Sequence, residues 1–249
     1  MHTRLKNSVG IFIILFLQCA TSSIQSVKAA DDSKISSENT VEKKSSKKID
    51  EEKKISGQNA KTSPTFTAMQ SKYKNVATLR ADFTQSIKNL TLGSTKTSSG
   101  QIFIKRPDKF RWQTVDPEPS ILVGNAHKVW YYTPPFRDGE KGQVLTRKAT
   151  DVQSRLALDL LSGHSNTEKD FKIKPLAADH FELIPLKPAG DVARIELFLE
   201  RPTNLVYKLM LFTKTGNQTE LVLKNVTLSP KLGDDMFTFV PPANTEEIR

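Results

Sequence analysis

Apolar and polar residues alternate with a period of two along most of the chain from Thr78 onward, which predicts a protein built mainly of β-strands. The clearest case is a predicted hairpin. Alternation runs through Gln101–Ile104, Pro107-Asp108 interrupts it, and it resumes in Phe110–Gln113. Because proline cannot donate a hydrogen bond to a strand ladder, the turn is placed at Pro107.

Further segments with strand character are separated by short turn sequences rich in Gly, Pro, Asn and Asp. Together with the hairpin they give about eleven short strands at hairpin spacing, which favours a barrel or a strongly curved antiparallel sheet over a parallel α/β fold. These segments are Leu79–Phe83, Ile121–Val123, Val129–Tyr132, Gln143–Thr146, Phe171–Lys174, Phe181–Ile184, Ile195–Leu199, Val206–Phe212, Leu221–Val226 and Phe237–Val240.

Two segments have the helical period instead. Ser63-Pro64 is typical of a helix start, and the apolar residues that follow fall on one helical face: Phe66, Met69, Tyr73 and Val76. Thr150-Asp-Val-Gln153 has the form of a capping box, and Leu156 and Leu160 share a face before Gly163. We expect both helices to lay their apolar faces on the concave side of the sheet.

The first 62 residues differ in composition from the rest and predict export. Residues 1–30 have a basic start, an apolar core at Val9–Leu17 and a small-residue cleavage region, so they are interpreted as a secretory signal peptide. Cleavage after Ala29 and cleavage after Ser22 both fit. Residues 31–62 hold eight lysines, seven acidic residues and no aromatic residue, which predicts a charged disordered linker. Residues 63–249 are the folded domain.

Charge and cysteine content argue against nucleic-acid binding and against a fold that depends on disulfides. The formal net charge is +10, of which +6 belongs to residues 63–249, where lysine and arginine are spread over many predicted strands. This is not the concentrated basic surface of a nucleic-acid-binding domain, so no nucleic-acid partner is expected. The only cysteine, Cys19, lies in the signal region, so the domain folds without a disulfide.

The folded region has no recognisable catalytic, metal-binding or cofactor-binding motif. Its three histidines, His127, His164 and His180, do not have metal-ligand spacing, and no nucleophile elbow or glycine-rich phosphate loop is present. We therefore expect no enzymatic activity, no metal and no cofactor. An exported curved sheet with helices on its concave side suits the shielding of an apolar ligand.

Several segments, in this order, resemble the LolA family of periplasmic outer-membrane lipoprotein carriers. The hairpin Gly100–Trp112 resembles the most distinctive part of that family. The other matching segments are Leu79–Gln85, Pro119–Val123, Val129–Tyr132 with Pro134–Phe136, and Phe237–Pro242. The resemblance implies an unclosed antiparallel β-barrel with a lid of α-helices over an apolar cavity.

The resemblance also implies a function and partners. A carrier of this family is a periplasmic chaperone that binds the acyl chains of lipoproteins released from the inner membrane. It receives them from an inner-membrane lipoprotein-releasing ABC transporter and passes them to an outer-membrane lipoprotein receptor. We expect this protein to act in that way as a monomer.

Individual roles follow from the resemblance and the strand pattern together. Arg106, between Lys105 and Pro107, is expected to lie near the rim of the sheet. By itself it also fits a solvated strand-end arginine, but the resemblance implies a latch that ties the lid shut. Phe110 is expected at the mouth, in contact with the loading membrane complex. The expected acyl-chain lining is Phe83, Phe103, Trp112, Tyr131, Phe66, Met69, Leu156 and Leu160.

Two alternatives to a soluble carrier stay open. The first is an outer-membrane-anchored lipoprotein receptor of the same fold, which requires a lipid on Cys19 and an exposed apolar loop. The second is an exported hydrolase or a polysaccharide-binding β-domain, which requires a cluster of polar residues inside the fold.

Overall fold

The computed structural model describes residues 63–149, 160–161 and 167–248. The predicted signal peptide and linker therefore lie outside the described residues. So does the predicted second helix with Leu156, except for its residues Leu160 and Leu161, which are both buried.

One helix precedes a long run of strands. Helix α1 spans Pro64–Lys74, and its buried residues are the predicted Phe66, Met69 and Tyr73. A short helix, α2, spans Thr167–Asp170, and a 3-10 helix spans Asp234–Phe237. The strands are β1 Thr78–Asn89, β2 Ser94–Lys105, β3 Lys109–Asp116, β4 Ser120–Gly124, β5 Lys128–Thr133, β6 Gly142–Lys148, β7 Phe171–Ala177, β8 His180–Pro185, β9 Val192–Glu200, β10 Leu205–Thr213, β11 Gln218–Leu228 and β12 Thr245–Ile248.

All the strands belong to one twelve-stranded sheet in the order β12-β6-β5-β4-β3-β2-β1-β11-β10-β9-β8-β7. Neighbouring strands pair antiparallel, except that β12 runs parallel to β6. Strands β12 and β7 are the two edges and are not paired with each other, so the sheet is open. The predicted fold class, a mainly β protein with an unclosed antiparallel sheet, is confirmed.

The strand prediction differs from the structure in two places. The polar stretch Ser94–Ser99 has no apolar alternation, yet it forms the first half of β2 because β1 supplies a continuous pairing partner from Thr78 to Asn89. The predicted closing strand Phe237–Val240 is wrong. Phe237 ends the 3-10 helix, and Pro241-Pro242 cannot donate to a ladder; the last strand forms only at Thr245–Ile248.

Strand register defines an inner face of the sheet, which carries Leu79, Ile104 and Phe110, and an opposite outer face. Leu79 lies opposite Ile104, and Ile104 lies opposite Phe110, so these three side chains share one face. Helix α1 covers this inner face: Phe66 lies in the same buried cluster, and its ring centroid is 4.9 Å from that of Phe181. The main core therefore lies between α1 and the inner face.

The C-terminal segment, residues 229–244, crosses the outer face. Asp234 accepts hydrogen bonds from Lys109 and Lys105, which together lower the pKa of Asp234 to about 2. The Arg111 guanidinium donates to the Met236 carbonyl, with 3.3 Å between Nη1 and the oxygen. The Phe239 ring lies 5.3 Å from that of Tyr132, which is buried on the outer face. Strands β2 to β5 thus have packing on both sides. Within the described ranges, no helix is long and apolar enough to cross a membrane.

Candidate functional site

The end of α1 is tied to the turn between β2 and β3 by Arg106. A helix leaves the carbonyls of its last turn without intrahelical partners. The Arg106 guanidinium donates to two of them, from Nη1 to the Lys74 oxygen and from Nη2 to the Tyr73 oxygen, each at 2.7 Å. The Arg106 backbone N–H also donates to the Ala77 carbonyl at 2.8 Å. The side chain and the backbone of one residue therefore hold α1 and the chain that follows it.

The chemistry of the guanidinium suits this contact. Its donors form a rigid planar fork, so it binds two neighbouring carbonyl oxygens at once. Partial burial lowers the pKa of Arg106, but an arginine stays charged at neutral pH. The helix dipole adds to the attraction because the C-terminal end of α1 carries partial negative charge.

Two further polar contacts and three buried side chains hold α1 on the sheet. The Tyr73 hydroxyl accepts a hydrogen bond from the Val206 backbone N–H at 3.2 Å, and burial raises the pKa of Tyr73 to about 12. Lys72 Nζ donates to the Thr203 carbonyl at 2.6 Å. Below these contacts, the Phe66, Met69 and Tyr73 side chains fill the space over the inner face.

Most of the predicted lining residues that the structure describes meet at this place. Phe83 and Trp112 lie on the inner face with ring centroids 4.6 Å apart, and both are buried in the main core. Tyr131 lies on the same face, because it pairs with Leu122 and Leu122 pairs with Trp112. Phe66, Met69 and Leu160 belong to the same buried cluster. Their role in holding an acyl chain stays a prediction.

Phe103 is a correction to the predicted lining. Alternation along β2 places either Ile102 and Ile104 or Phe103 on the inner face, and the sequence pattern does not decide between them. In the structure Ile102 and Ile104 are buried on the inner face. Phe103 therefore points to the outer face, where its ring centroid lies 6.0 Å from the Arg80 guanidinium carbon.

Phe110 is a second correction, because it does not lie at an exposed mouth. Its side chain is only 7% exposed and belongs to the main core. The Phe110 ring lies directly over Gly124, the residue opposite it on β4, so closely that a Cβ at Gly124 would overlap the ring. Pairing with Ile104 turns Phe110 inward although it follows the turn immediately.

Sequence reasoning did not single out Gln85, the one polar residue in the buried inner positions of β1. Gln85 continues the series Leu79, Ala81 and Phe83, and it is buried like them. A polar residue at a position where alternation requires an apolar one was the signal that marked it.

The inner face mainly offers apolar contact. Apart from Gln85 on β1 and Thr219 on β11, its buried side chains are aliphatic and aromatic on β1 to β3 and on β8 to β11. Among the residues that the structure describes, no three His, Cys, Asp or Glu side chains lie close enough together to hold a metal ion. If α1 moves away, this surface can bury an apolar ligand in its place.

Comparison with known proteins agrees with this architecture. Residues 74–240 match the family model described as outer membrane lipoprotein carrier protein LolA. The outer-membrane lipoprotein carrier protein of Dechloromonas aromatica is 32% identical over 177 residues, which cover 70% of this chain and 83% of the relative. The protein of the same name from Nitrosomonas europaea is 26% identical over 176 residues, covering 69% and 82%.

Among solved structures, a LolA superfamily protein from Nitrosomonas europaea has a TM-score of 0.37 with 11% identity and covers 70% of this chain and 97% of its own. The assignment rests on the sequence matches, which span most of the described domain and include the hairpin that carries Arg106. This chain belongs to the LolA family of outer-membrane lipoprotein carrier proteins.

Proposed function

We propose that this protein is a periplasmic carrier that takes up the acyl chains of lipoproteins released from the inner membrane and delivers them to an outer-membrane receptor. The observation that carries the proposal is an extensive apolar inner face covered by a helix whose end is held by Arg106. Family membership supports the same activity. The lipoprotein-releasing transporter and the receptor are the partners that such a cycle requires, and the carrier acts as a monomer.

The need for a shielded site follows from the cost of exposing acyl chains. Moving hydrocarbon from a membrane into water costs about 0.8 kcal/mol for each CH₂ group. Exposing three long acyl chains to water therefore costs much more free energy than binding to a receptor can provide. A protein that crosses the periplasm with such cargo must bury the chains throughout the journey.

The structure supports an exchange mechanism for loading. In the closed state, Phe66, Met69 and Tyr73 of α1 occupy the inner face, and burial of each side chain is worth about 1.5–3 kcal/mol. An acyl chain that replaces them restores apolar contact to the same sheet residues. The net cost of opening is then small, and a partner that binds the open or the closed state differently can shift the equilibrium.

Tryptophan fluorescence tests this function directly, because the chain has two tryptophans and they lie on opposite faces. Trp112 lies on the inner face beside Phe83, and Trp130 lies on the outer face. In a Trp130→Phe variant, binding of a lipopeptide with brominated acyl chains should quench most of the remaining Trp112 emission, because bromine quenches only by close contact.

The matched control is Trp112→Phe, which leaves Trp130 as the only emitter. Its fluorescence should change little with the same lipopeptide. Equal quenching of both variants, or binding without quenching of Trp112, would show that the acyl chains do not occupy the inner face.

One observation supports the alternative function, an outer-membrane-anchored lipoprotein receptor. The tip of the β1–β2 hairpin exposes Leu92 and Leu90, with 72% and 48% of each residue accessible. A receptor that inserts a loop into a membrane needs such residues, together with a lipid on Cys19. Mass spectrometry of the mature N-terminus separates the two functions: a diacylglyceryl cysteine supports the receptor, and a terminus downstream of Cys19 supports the carrier.

A further inference from the structure

Two buried polar side chains on the inner face each carry an atom that has no hydrogen-bond partner among the described residues. Gln85 is 6% exposed and Thr219 is 5% exposed. Gln85 Nε2 and Thr219 Oγ1 are both buried and both unpaired. Since buried polar groups in proteins are almost always hydrogen-bonded, two unpaired groups on one surface require an explanation.

Their positions bring them together. Gln85 pairs with Leu221, and Ile87 pairs with Thr219, so Gln85 and Thr219 are diagonal neighbours on adjacent strands. Such diagonal neighbours are about 7–8 Å apart at their Cα atoms, within reach of the longer side chains. Both residues lie on the face that also carries Phe83, which means that they border the proposed acyl-chain surface.

The pair lies far from the latch. Leu79 is the inner-face residue of β1 that pairs with Ile104, just before Arg106. Gln85 is six residues further along β1, which corresponds to about 20 Å. Beyond Gln85 the hairpin ends in exposed residues, including Ser94. The unpaired groups therefore stand where the apolar surface gives way to the open end of the hairpin.

This arrangement is costly for a protein that only needs a core. A leucine in place of Gln85 would fill similar space without burying an unpaired amide. The polar pair is explained if a ligand supplies the missing partners. A ligand with hydrocarbon at one end and polar groups at the other matches the change from apolar to polar inner-face residues along β1.

We propose that Gln85 and Thr219 donate hydrogen bonds to the ester carbonyl oxygens at the head of the bound acyl chains. This inference rests on the proposed carrier function and names the groups that orient the lipid. An ester oxygen only accepts hydrogen bonds, whereas the Gln85 amide and the Thr219 hydroxyl both donate them. The acyl chains then extend along β1 past Phe83 towards Leu79, and the cargo polypeptide leaves at the hairpin end.

A pair of synthetic lipopeptides tests the proposal. The first carries an S-diacylglyceryl, N-acyl cysteine on a short polar peptide, and the second is its ether analogue, in which both ester carbonyls are replaced by CH₂. The wild-type protein should bind the ester form at least about three- to tenfold more tightly, the range expected for one neutral hydrogen bond. The double variant Gln85→Leu, Thr219→Val should lose this preference and bind the ether form undiminished.

Gln101→Leu is the matched control. Gln101 lies on the outer face of β2 and donates to Asp82 at 2.9 Å, so its loss should leave the ester preference unchanged. The melting temperature gives a second readout: Gln101→Leu should lower it, whereas Gln85→Leu should hold or raise it because an unpaired buried amide disappears.

Two results would overturn the inference. One is a wild-type protein with equal affinity for the ester and ether forms, and the other is an ester preference that survives in the double variant. Failure of the proposed function looks different, because the wild-type protein would then bind neither lipopeptide.

Discussion

An Arg106→Leu variant should accept lipoprotein from the inner membrane and fail to pass it to the receptor. In the proposed cycle the guanidinium stabilises only the closed state, in which it binds the Tyr73 and Lys74 carbonyls at 2.7 Å. Without these two hydrogen bonds, the closed empty carrier is less stable, while the open loaded carrier is unchanged. The cargo is then held more tightly, because its release must regenerate the weakened closed state.

The size of this effect follows from the contact. Hydrogen bonds to a charged group contribute about 1–3 kcal/mol, and partial exposure of Arg106 keeps the value within that range. An equilibrium shifted by this amount changes about 5- to 150-fold, so transfer should slow by one to two orders of magnitude. The measurement is transfer of a radiolabelled lipoprotein from the loaded carrier to receptor-bearing membranes.

Two further variants sharpen the test. Arg106→Lys should fall between wild type and Arg106→Leu, because an ammonium group cannot bind both carbonyls with the geometry of the planar fork. Arg111→Leu is the matched control, since Arg111 lies five residues away on the same hairpin and binds a carbonyl on the outer face. It should transfer cargo normally. Transfer by Arg106→Leu at the wild-type rate would show that Arg106 is not a latch.

A Phe110→Glu variant should be strongly destabilised. The structure places Phe110 in the main core, with its ring over Gly124. The substitution removes a buried aromatic side chain and leaves a carboxyl group in an apolar site, which together cost about 4 kcal/mol or more. Thermal unfolding of the purified protein measures this loss.

Phe110→Leu is the matched variant, because it changes the size of the side chain without burying a carboxyl group. It keeps an apolar side chain in the same site and should cost only about 1 kcal/mol in unfolding free energy. If Phe110→Glu melts at the wild-type temperature, Phe110 is accessible to solvent, and the original expectation of a partner contact at the mouth is restored.

Most of the fold prediction came from the alternation of apolar and polar residues, and the limits of that pattern explain the errors. Each predicted strand segment other than Phe237–Val240 lies inside a strand, because a half-buried strand imposes its period on the sequence. Phe237 and Phe239 imitate that period, but they pack on the outer face from outside the sheet. Local alternation does not distinguish a strand from a segment that lies on one.

The candidate site was less accessible to sequence reasoning. Alternation groups residues by face but does not say which face is covered, so Phe103 was misplaced while Phe83 and Trp112 were placed on the inner face. The position of Phe110 depends on its pairing with Ile104, a contact between strands. The sequence marks Gln85 only as a polar residue in an apolar position of β1, and its importance depends on its burial and missing partner.

The C-terminal segment gives the outer face of β2 to β5 packing that does not involve α1. Residues such as Val123, Tyr132 and Val144 are buried on that face, on the side of the sheet opposite α1. In the proposed cycle, departure of α1 is a local opening, and its free energy differs from that of global unfolding. In the proposed carrier, substitutions in α1 and at Arg106 should change cargo affinity, whereas substitutions beneath the C-terminal segment should change the free energy of global unfolding. Cargo affinity and global stability should therefore respond to different sets of substitutions.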